Sequence, residues 1–372
     1  MINIKSSLIK LGDITMFSKG EQINGDLLIK DGQYDYLNGG INPSGKWNSY
    51  NVAGNTITIS EGGNSSGYVN YMSNNFWCGA HCYYLYNTLC DRKYLYYSLK
   101  SQQNRLMGIR SGACMPNIKK NDLANFMLKF HEDDKVQKKI AEIFTELDTC
   151  ISIKEKQLNN LMLFVKSRFI EMFGGNLDRN ITLKEVSTKG PQNGFYKKDA
   201  EINGTIPIIK MKQLFANEAV GEARDCDKVA LTEKELENFK LTSRDLLFGR
   251  RSLVVEGAGK CRRVGRLEKN MIFESSLLRI TLNEELLLPR FLQIWLETEE
   301  GKNSISSIRA VTTIAGIKGS DLARLKVPTP PISLQKSFLD FVAQVDKSKL
   351  AVQQSLDELE TLKKSLMQQY FG

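Results

Sequence analysis

The chain has 372 residues, with 51 Lys and Arg against 42 Asp and Glu, a formal net charge of +9 and a pI near 9.0. A hydrophobic share of 41% and a charged share of 25% exclude a disordered or fibrous chain. No apolar run is long enough to cross a bilayer, and the opening residues, broken by Lys5, Lys10 and Asp13, lack the apolar core of a signal peptide.

Residues 1–130 are expected to form a β-rich domain. Residues 56–59 (TITI) alternate like a half-buried strand, residues 62–67 (GGNSSG) supply a turn, and residues 68–71 and 83–86 read as further strands. Residues 91–103 read as a short helix carrying Tyr94, Leu95 and Leu99. From about Asp133 to Phe173 the period changes. Val136, Ile140, Ile143, Leu147, Ile151, Leu158, Leu161, Val165 and Met172 mark one stripe of a long amphipathic helix, ended by Gly174 and Gly175 and assigned to residues 131–175. Residues 176–327 read as a second β-rich domain, in which residues 183–186 echo residues 11–14 and residues 206–210 and 246–248 are apolar strands. Its extra length is expected in the charged, helix-prone residues 217–241. Pro328, Pro330 and Pro331 then open a second long helix, over 328–372, with a seam of Leu334, Phe338, Phe341, Val345, Val352, Leu356, Leu359, Leu362, Leu366 and Tyr370.

The chain repeats itself. Residues 109–128 (IRSGACMPNIKKNDLANFML) align without a gap on residues 308–327 (IRAVTTIAGIKGSDLARLKV). Ile109/Ile308, Arg110/Arg309, Ile118/Ile317, Lys119/Lys318, Asp122/Asp321, Leu123/Leu322 and Ala124/Ala323 coincide. Unrelated segments would coincide at roughly one position in twenty. After a one-residue slip Gln137/Gln335, Asp148/Asp346, Ser167/Ser365 and Phe173/Phe371 coincide as well. The expected fold class is therefore α+β: two β-rich domains in pseudo-twofold repeat, each followed by a long helix. Each apolar stripe is too narrow for a core helix, and the two together would bury each other. Two similar surfaces suit a two-part target.

The basic surplus favours a polyanionic partner, because cations on a surface release counterions condensed on phosphates. Arg250, Arg251, Lys260, Arg262, Arg263 and Arg266 read as a basic hairpin able to reach phosphates or base edges. In the first copy, Tyr36, Asn38, Gly39, Gly40, Asn42, Ser44, Lys46, Trp47 and Asn48 combine aromatic and amide groups with glycines that admit close backbone approach. Residues 256–265 resemble a phosphate loop but lack its first glycine, and Lys260 is followed by Cys261 rather than Ser or Thr. Cys78, His81 and Cys82 lack the second ligand pair that structural zinc needs. The seven cysteines are irregularly spaced and fit reduced thiols in a cytoplasm. His81 and His131 are the only histidines, no amino-methylating or helicase motif is present, and the expectation is a non-enzyme without metal or cofactor.

Residues 10–14 (KLGDI), 182–186 (TLKEV), 245–249 (DLLFG) and 317–325, leading into residues 327–331 (VPTPP), Gln335, Lys336 and the terminal helix, carry a family resemblance. In this order, duplicated, the chain resembles the specificity subunits of type I restriction-modification systems over essentially its whole length. The first copy departs from the pattern, since residues 129–133 (KFHED) lack the proline pair. The resemblance implies two target-recognition domains, each reading one half of a split DNA sequence. It also implies that the two helices pair antiparallel as a spacer and hold two DNA adenine methyltransferase subunits. Further restriction subunits would add translocase and nuclease activity, with S-adenosylmethionine, ATP and magnesium on the partners and no cofactor on this chain. Carried over by position, the candidate DNA contacts are Asn38, Gly39, Gly40, Asn42, Ser44, Lys46, Asn64, Ser65, Arg110 and Gly112 in the first domain. In the second they are Lys210, Lys212, Arg250, Arg251, Lys260, Arg262 and Arg309, with Arg110 and Arg309 alternatively structural salt-bridge partners. The rival readings are a coiled-coil scaffold with two protein-binding β-rich domains and no nucleic acid, and a nuclease or fused methyltransferase.

Overall fold

The computed structural model describes residues 5–112, 116–174, 180–196, 204–216, 219–223, 225–311 and 313–372. The chain divides into two compact units, residues 1–157 with 351–372 and residues 158–350.

In the first unit, β1 (Ser6–Lys10) pairs antiparallel with β9 (Met127–His131) and closes the domain end to end. Between them run β2 (Met16–Lys19), β3 (Tyr34–Leu37), β4 (Gly45–Trp47), β5 (Thr56–Ser60), β6 (Val69–Met72), β7 (Phe76–Cys78) and β8 (Cys82–Tyr86). They form two sheets, ordered β2-β8-β5-β6 and β4-β3-β7, with β3 and β7 parallel. Helix α1 (Arg92–Ser101) follows, its Asp91 side chain accepting from the Tyr94 N–H at 2.8 Å, then α2 (Gln103–Gly108) and α3 (Lys120–Ala124). Leu95 and Leu99 of α1 cover Ile57 and Ile59 of β5 in the main core. Strand β5 departs from the expected half-buried pattern, because all five of its residues are buried. Alternation there separates two covered faces, one aliphatic and one of hydroxyls, and the Thr58 and Ser60 hydroxyls have no hydrogen-bond partner among the described residues.

The second unit repeats this wiring. β10 (Ile181–Thr182) pairs with β22 (Lys326–Val327) as β1 does with β9. The large sheet runs β11 (Ser187–Asn193), β19 (Leu277–Leu282), β15 (Asp245–Gly249), β17 (Cys261–Val264), β13 (Ala219–Val220). The small sheet runs β14 (Asp227–Val229), β12 (Ile206–Ile209), β18 (Ile272–Phe273), again with its last pair parallel. Main-chain bonds coincide too: Leu11 N–H donates to Phe126 O and Leu183 N–H to Leu325 O, both at 2.8 Å. The connection from β3 to β5 holds β4 alone, whereas that from β12 to β15 holds α5 (Met211–Ala216), β13, β14 and α6 (Glu233–Phe239). The extra length therefore falls in the expected region, and α6 starts at a capping box of Thr232 and Glu235. Helices α7 (Pro289–Glu297) and α8 (Glu299–Ser307) follow β19, and α9 (Gly319–Ala323) precedes β22.

Two 40-residue helices, α4 (Asp134–Phe173) and α10 (Ile332–Phe371), each contribute one end to either unit. Within the first unit Phe144 stacks on Phe371 at 5.9 Å and Asp148 binds Lys363, so the helices run antiparallel. Within the second, Phe169 meets Phe338 at 5.4 Å and Phe164 meets Phe341 at 5.1 Å, with the same polarity. Of the expected seam, Ile140, Leu147, Phe338, Val345 and Leu356 are buried, and Val136, Ile143, Val165, Phe341, Leu359 and Leu366 pack against the buried clusters. Ile151, Leu158, Leu161 and Val352 are half-buried. Leu334 and Leu362 are instead exposed, while Ala141, Phe144, Phe169 and Val342 are buried off the expected stripe. Near its ends each helix also packs on a β-rich domain, which widens and turns the buried face.

The duplicated residues make duplicated contacts. Gln137, buried, donates to His131 O and accepts from the N–H of Asp91, which caps α1. Gln335, also buried, donates to Pro330 O and Leu286 O and accepts from the N–H of Leu288, which caps α7. Asp148 accepts from Tyr97 of α1, and Asp346 binds Arg290 of α7.

Candidate nucleic-acid interface

In the first unit the loops at the ends of β3, β5 and β7 gather most of the sequence-derived candidates. Gly39 takes a φ of +84°, and an added Cβ would overlap the His81 carbonyl oxygen. Asn38 Oδ1 accepts from His81 N–H at 3.2 Å, and Ser65 Oγ donates to Gly39 O at 2.6 Å. Arg110 Nη1 donates to Asn64 O at 3.4 Å. Asn42, Ser44, Asn64 and Gly112 are exposed, and Lys46 lies 3.7 Å from Asp35 on the β3–β4 pair. Asn38, Gly39, Asn64, Ser65 and Arg110 are thus one cluster, whereas Lys46 is paired with Asp35.

The second unit splits its candidates. Arg250 and Arg251 line an open cleft of about 780 Å³ together with Lys184, Lys318 and the glycines Gly190, Gly316 and Gly319. Among the described residues no carboxylate lines it. Lys260, Arg262 and Arg309 line a second cleft, of about 660 Å³, which also holds Lys166, Lys302, Glu256 and Glu297. There Arg262 is bound to Glu297 at 3.0 Å, and the Lys260 amine lies over the Phe215 ring, its pKa held below the ordinary value by burial and then by Arg262. Lys210 and Lys212 line neither cleft. Lys210 is paired with Asp227 at 2.6 Å, a hydrogen bond that raises its pKa and lowers that of the carboxylate. Arg309 Nε donates to Ala258 O at 2.9 Å. The duplicated arginines are therefore bound to main-chain carbonyls of the loop after the central strand, Asn64 O and Ala258 O, and among the described residues to no carboxylate.

Beneath both loops lies one framework position. Ile118 N–H donates to Glu61 O at 2.9 Å and Ile317 N–H to Arg250 O at 3.0 Å. Glu61 N–H donates to His81 O and Arg250 N–H to Ser276 O, at 2.9 and 2.7 Å. The same backbone site thus carries opposite charges. Glu61 is bound to Lys19 and lies 3.8 Å from His81, whereas Arg250 Nη1 donates to Ser275 O at 3.2 Å.

Sequence reasoning missed Lys184 and Lys318, although Lys318 was visible as the partner of Lys119 in the repeat. The loop over Arg250–Arg266, expected as a basic hairpin, is apolar at its apex: Leu253, Val254 and Val255 are exposed, and the cations stand on its flanks. The cysteine pair forms no ligand set. Cys78 and Cys82 are buried, Cys78 Sγ donates to Cys82 O at 3.4 Å, and that neighbour together with burial pushes the Cys78 thiol pKa up. Among the described residues no group of His, Cys, Asp and Glu could hold a metal ion.

Two β-rich repeats, each presenting a loop cluster over the same backbone clasp and each followed by a 40-residue helix, define a class of protein with two like surfaces. The profile of the type I restriction modification DNA specificity domain matches residues 3–163 and 179–361, and the chain belongs to that family. It is 34% identical over 166 residues to a putative type I specificity subunit of Mycoplasma pneumoniae, covering 43% of either chain. To a putative type I specificity subunit of Mycoplasma genitalium it is 34% identical over 153 residues, 40% of this chain and 37% of that one. To the type I restriction enzyme EcoKI specificity subunit of Escherichia coli it is 22% identical over 293 residues, 72% and 62% of the two chains. The matches thus span about two fifths to three fifths of these relatives. The crystal structure of a type I restriction-modification S subunit from M. genitalium shares the fold, with a TM-score of 0.59 and 22% identity over 100% of this chain and 97% of that one. A chain from a structural study of complex assembly and conformational transition in the type I system gives 0.58 at 13% identity, over 100% and 99%.

Proposed function

We propose that this chain is the DNA-specificity subunit of a type I restriction-modification complex, residues 1–130 and 176–327 each reading one half of a bipartite duplex. The observation that carries this is the repeated clasp, which holds a recognition loop in place through main-chain bonds while the side chains above it differ between copies. Exposed Lys184, Arg251 and Lys318 supply phosphate affinity that is blind to sequence, and the loop side chains supply base contacts. The helices at 131–175 and 328–372 hold two DNA adenine methyltransferase subunits. Exposed Met162, Leu163, Phe164 and Ile170 on α4 and Leu334, Leu350 and Leu362 on α10 support that docking. This chain is non-catalytic and binds no cofactor; S-adenosylmethionine, ATP and magnesium belong to the methyltransferase and restriction subunits. The complex works in the cytoplasm, in keeping with the absence, among the described residues, of a helix able to cross a membrane.

The test is a domain exchange. Replacing residues 176–327 by the corresponding segment of another specificity subunit, with methylation-site sequencing of the assembled complex, should change one half of the target and leave the other. A change in both halves would refute the modular reading. Turnover by the purified chain with S-adenosylmethionine and DNA would refute the non-catalytic one.

A further inference from the structure

We infer that an apolar tip in the second unit, formed by Leu253, Val254, Val311 and Ile314, enters the major groove and reads thymine methyl groups in its half-site. This rests on the reading of that unit as a DNA-recognition domain and names what part of the base it reads.

The tip is built rather than frayed. Strand β16 (Arg251–Ser252) pairs with β21 (Ala315–Ile317), which pairs in turn with β20 (Arg309–Ala310), giving a short three-stranded ribbon. One residue past the register pair Ser252↔Ala315 stand Leu253 and Ile314, 84% and 48% exposed. Val311, 62% exposed, follows β20, and Val254, 54% exposed, follows Leu253. Four bonds hold the loop. Val254 N–H donates to Ser252 Oγ at 3.1 Å, and Arg309 Nε holds Ala258 O at 2.9 Å. Gly249 N–H donates to Lys260 O and Gly259 N–H to Gly249 O, at 2.9 and 2.7 Å, closing its base. Water-facing apolar side chains on a fixed ribbon mark an interaction surface.

The surroundings select the partner. The adjoining cleft is lined by Lys184, Arg250, Arg251 and Lys318 and, among the described residues, by no carboxylate. Glu256, in the same loop, lines the other cleft. A duplex offers the complementary pattern: phosphate rails outside and, recessed in the major groove, the C5-methyl of thymine as its main apolar feature. The groove admits a β-ribbon. An apolar protein surface would match the tip but not the four cations. In the first unit the equivalent loop is polar, with Asn64, Ser65 and Ser66 in place of the apolar residues, so methyl reading is confined to the second half-site.

The experiment uses the full chain assembled with its methyltransferase. The target is first mapped by methylation-site sequencing, and thymines of the second half-site are then replaced one at a time by deoxyuridine, which removes only the methyl. Binding should weaken about fourfold for a methyl read by the tip, on the order of 0.8 kcal/mol for one buried carbon. The double substitution Leu253→Ser with Val254→Ser should weaken binding and abolish the difference between thymine and deoxyuridine. Leu253→Met, which keeps an apolar tip, should retain it. A wild-type complex indifferent to every deoxyuridine in the second half-site, or a double variant as sensitive as wild type, would overturn the inference. Failure to find any bipartite methylated site would instead overturn the proposed function.

Discussion

The cleft lined by Lys184, Arg251 and Lys318 makes a quantitative prediction about salt. Lys184, Arg251 and Lys318 are exposed and in no ion pair among the described residues, so each is available to a phosphate. Arg250 is left intact because its guanidinium is already bound to Ser275 O. Changing the three to Gln removes up to three phosphate contacts, and each contact contributes about 0.9 to the slope of log K against log salt. The slope should therefore fall by up to about 2.7, and over a fourfold rise in salt wild type should lose about fortyfold more affinity than the variant. Fluorescence anisotropy of a labelled duplex across salt concentrations measures this directly. Changing Lys336 and Lys347, exposed on α10, to Gln serves as the control and should leave the slope unaltered. Substitutions at exposed positions should cost little stability. A folded triple variant whose slope equals that of wild type would refute the assignment of this cleft to the phosphate backbone.

Gln335→Met keeps the volume of the side chain but removes its bonds to Leu286 O, Pro330 O and Leu288 N–H, at a cost of roughly 2–4 kcal/mol. By calorimetry the transition of the second unit should fall by roughly 5–15 °C; an unchanged transition would remove the buried glutamine as a tether. Burial, and then Lys129, hold the His131 imidazole below its ordinary pKa, so on acidification the unfolded chain takes up a proton first. Stability should be lost below about pH 6.5, the unfolded value, and the Tm of His131→Gln should fall less steeply with acid; equal slopes would contradict this. Gly39→Ala forces a side chain onto positive φ and against His81 O, and should cost about 1–3 kcal/mol in Tm measurements. It should also disturb methylation at the first half-site only, and a variant as stable as wild type would show that the loop relaxes freely.

The repeat and the long helices were legible in the sequence because they are written in the framework. Gln137 and Gln335 reach helix caps through their side-chain amides, Leu11 and Leu183 are fully buried in the two cores, and such contacts tolerate few side chains. The parallel pairings β3–β7 and β12–β18 were not legible, since they join segments far apart in the chain whose side chains carry no register mark. Phe144 escaped the seam because it meets Tyr97 of the β-rich domain as well as Phe371, and a heptad pattern encodes only a helix–helix face. Of the candidate site, the glycine and amide cluster around Gly39 was visible as a local composition. The grouping of Lys184 and Lys318 with Arg250 and Arg251 was not, because three separate segments converge to make that cleft. Nor does spacing reveal that Arg262 is bound to Glu297.

The clasp at Glu61 and Arg250 bears on how such a protein changes over generations. Its bonds run between peptide groups, Ile118 N–H to Glu61 O in one copy and Ile317 N–H to Arg250 O in the other. The scaffold is therefore indifferent to which side chain occupies the site, and a carboxylate and a guanidinium already stand on the same frame. Substitution there leaves the peptide bonds of the clasp in place and removes only side-chain contacts, so new preferences can be sampled one residue at a time on an unchanged backbone. Mutational tolerance is thus concentrated at the positions above the clasp, and two copies that began alike can drift apart independently.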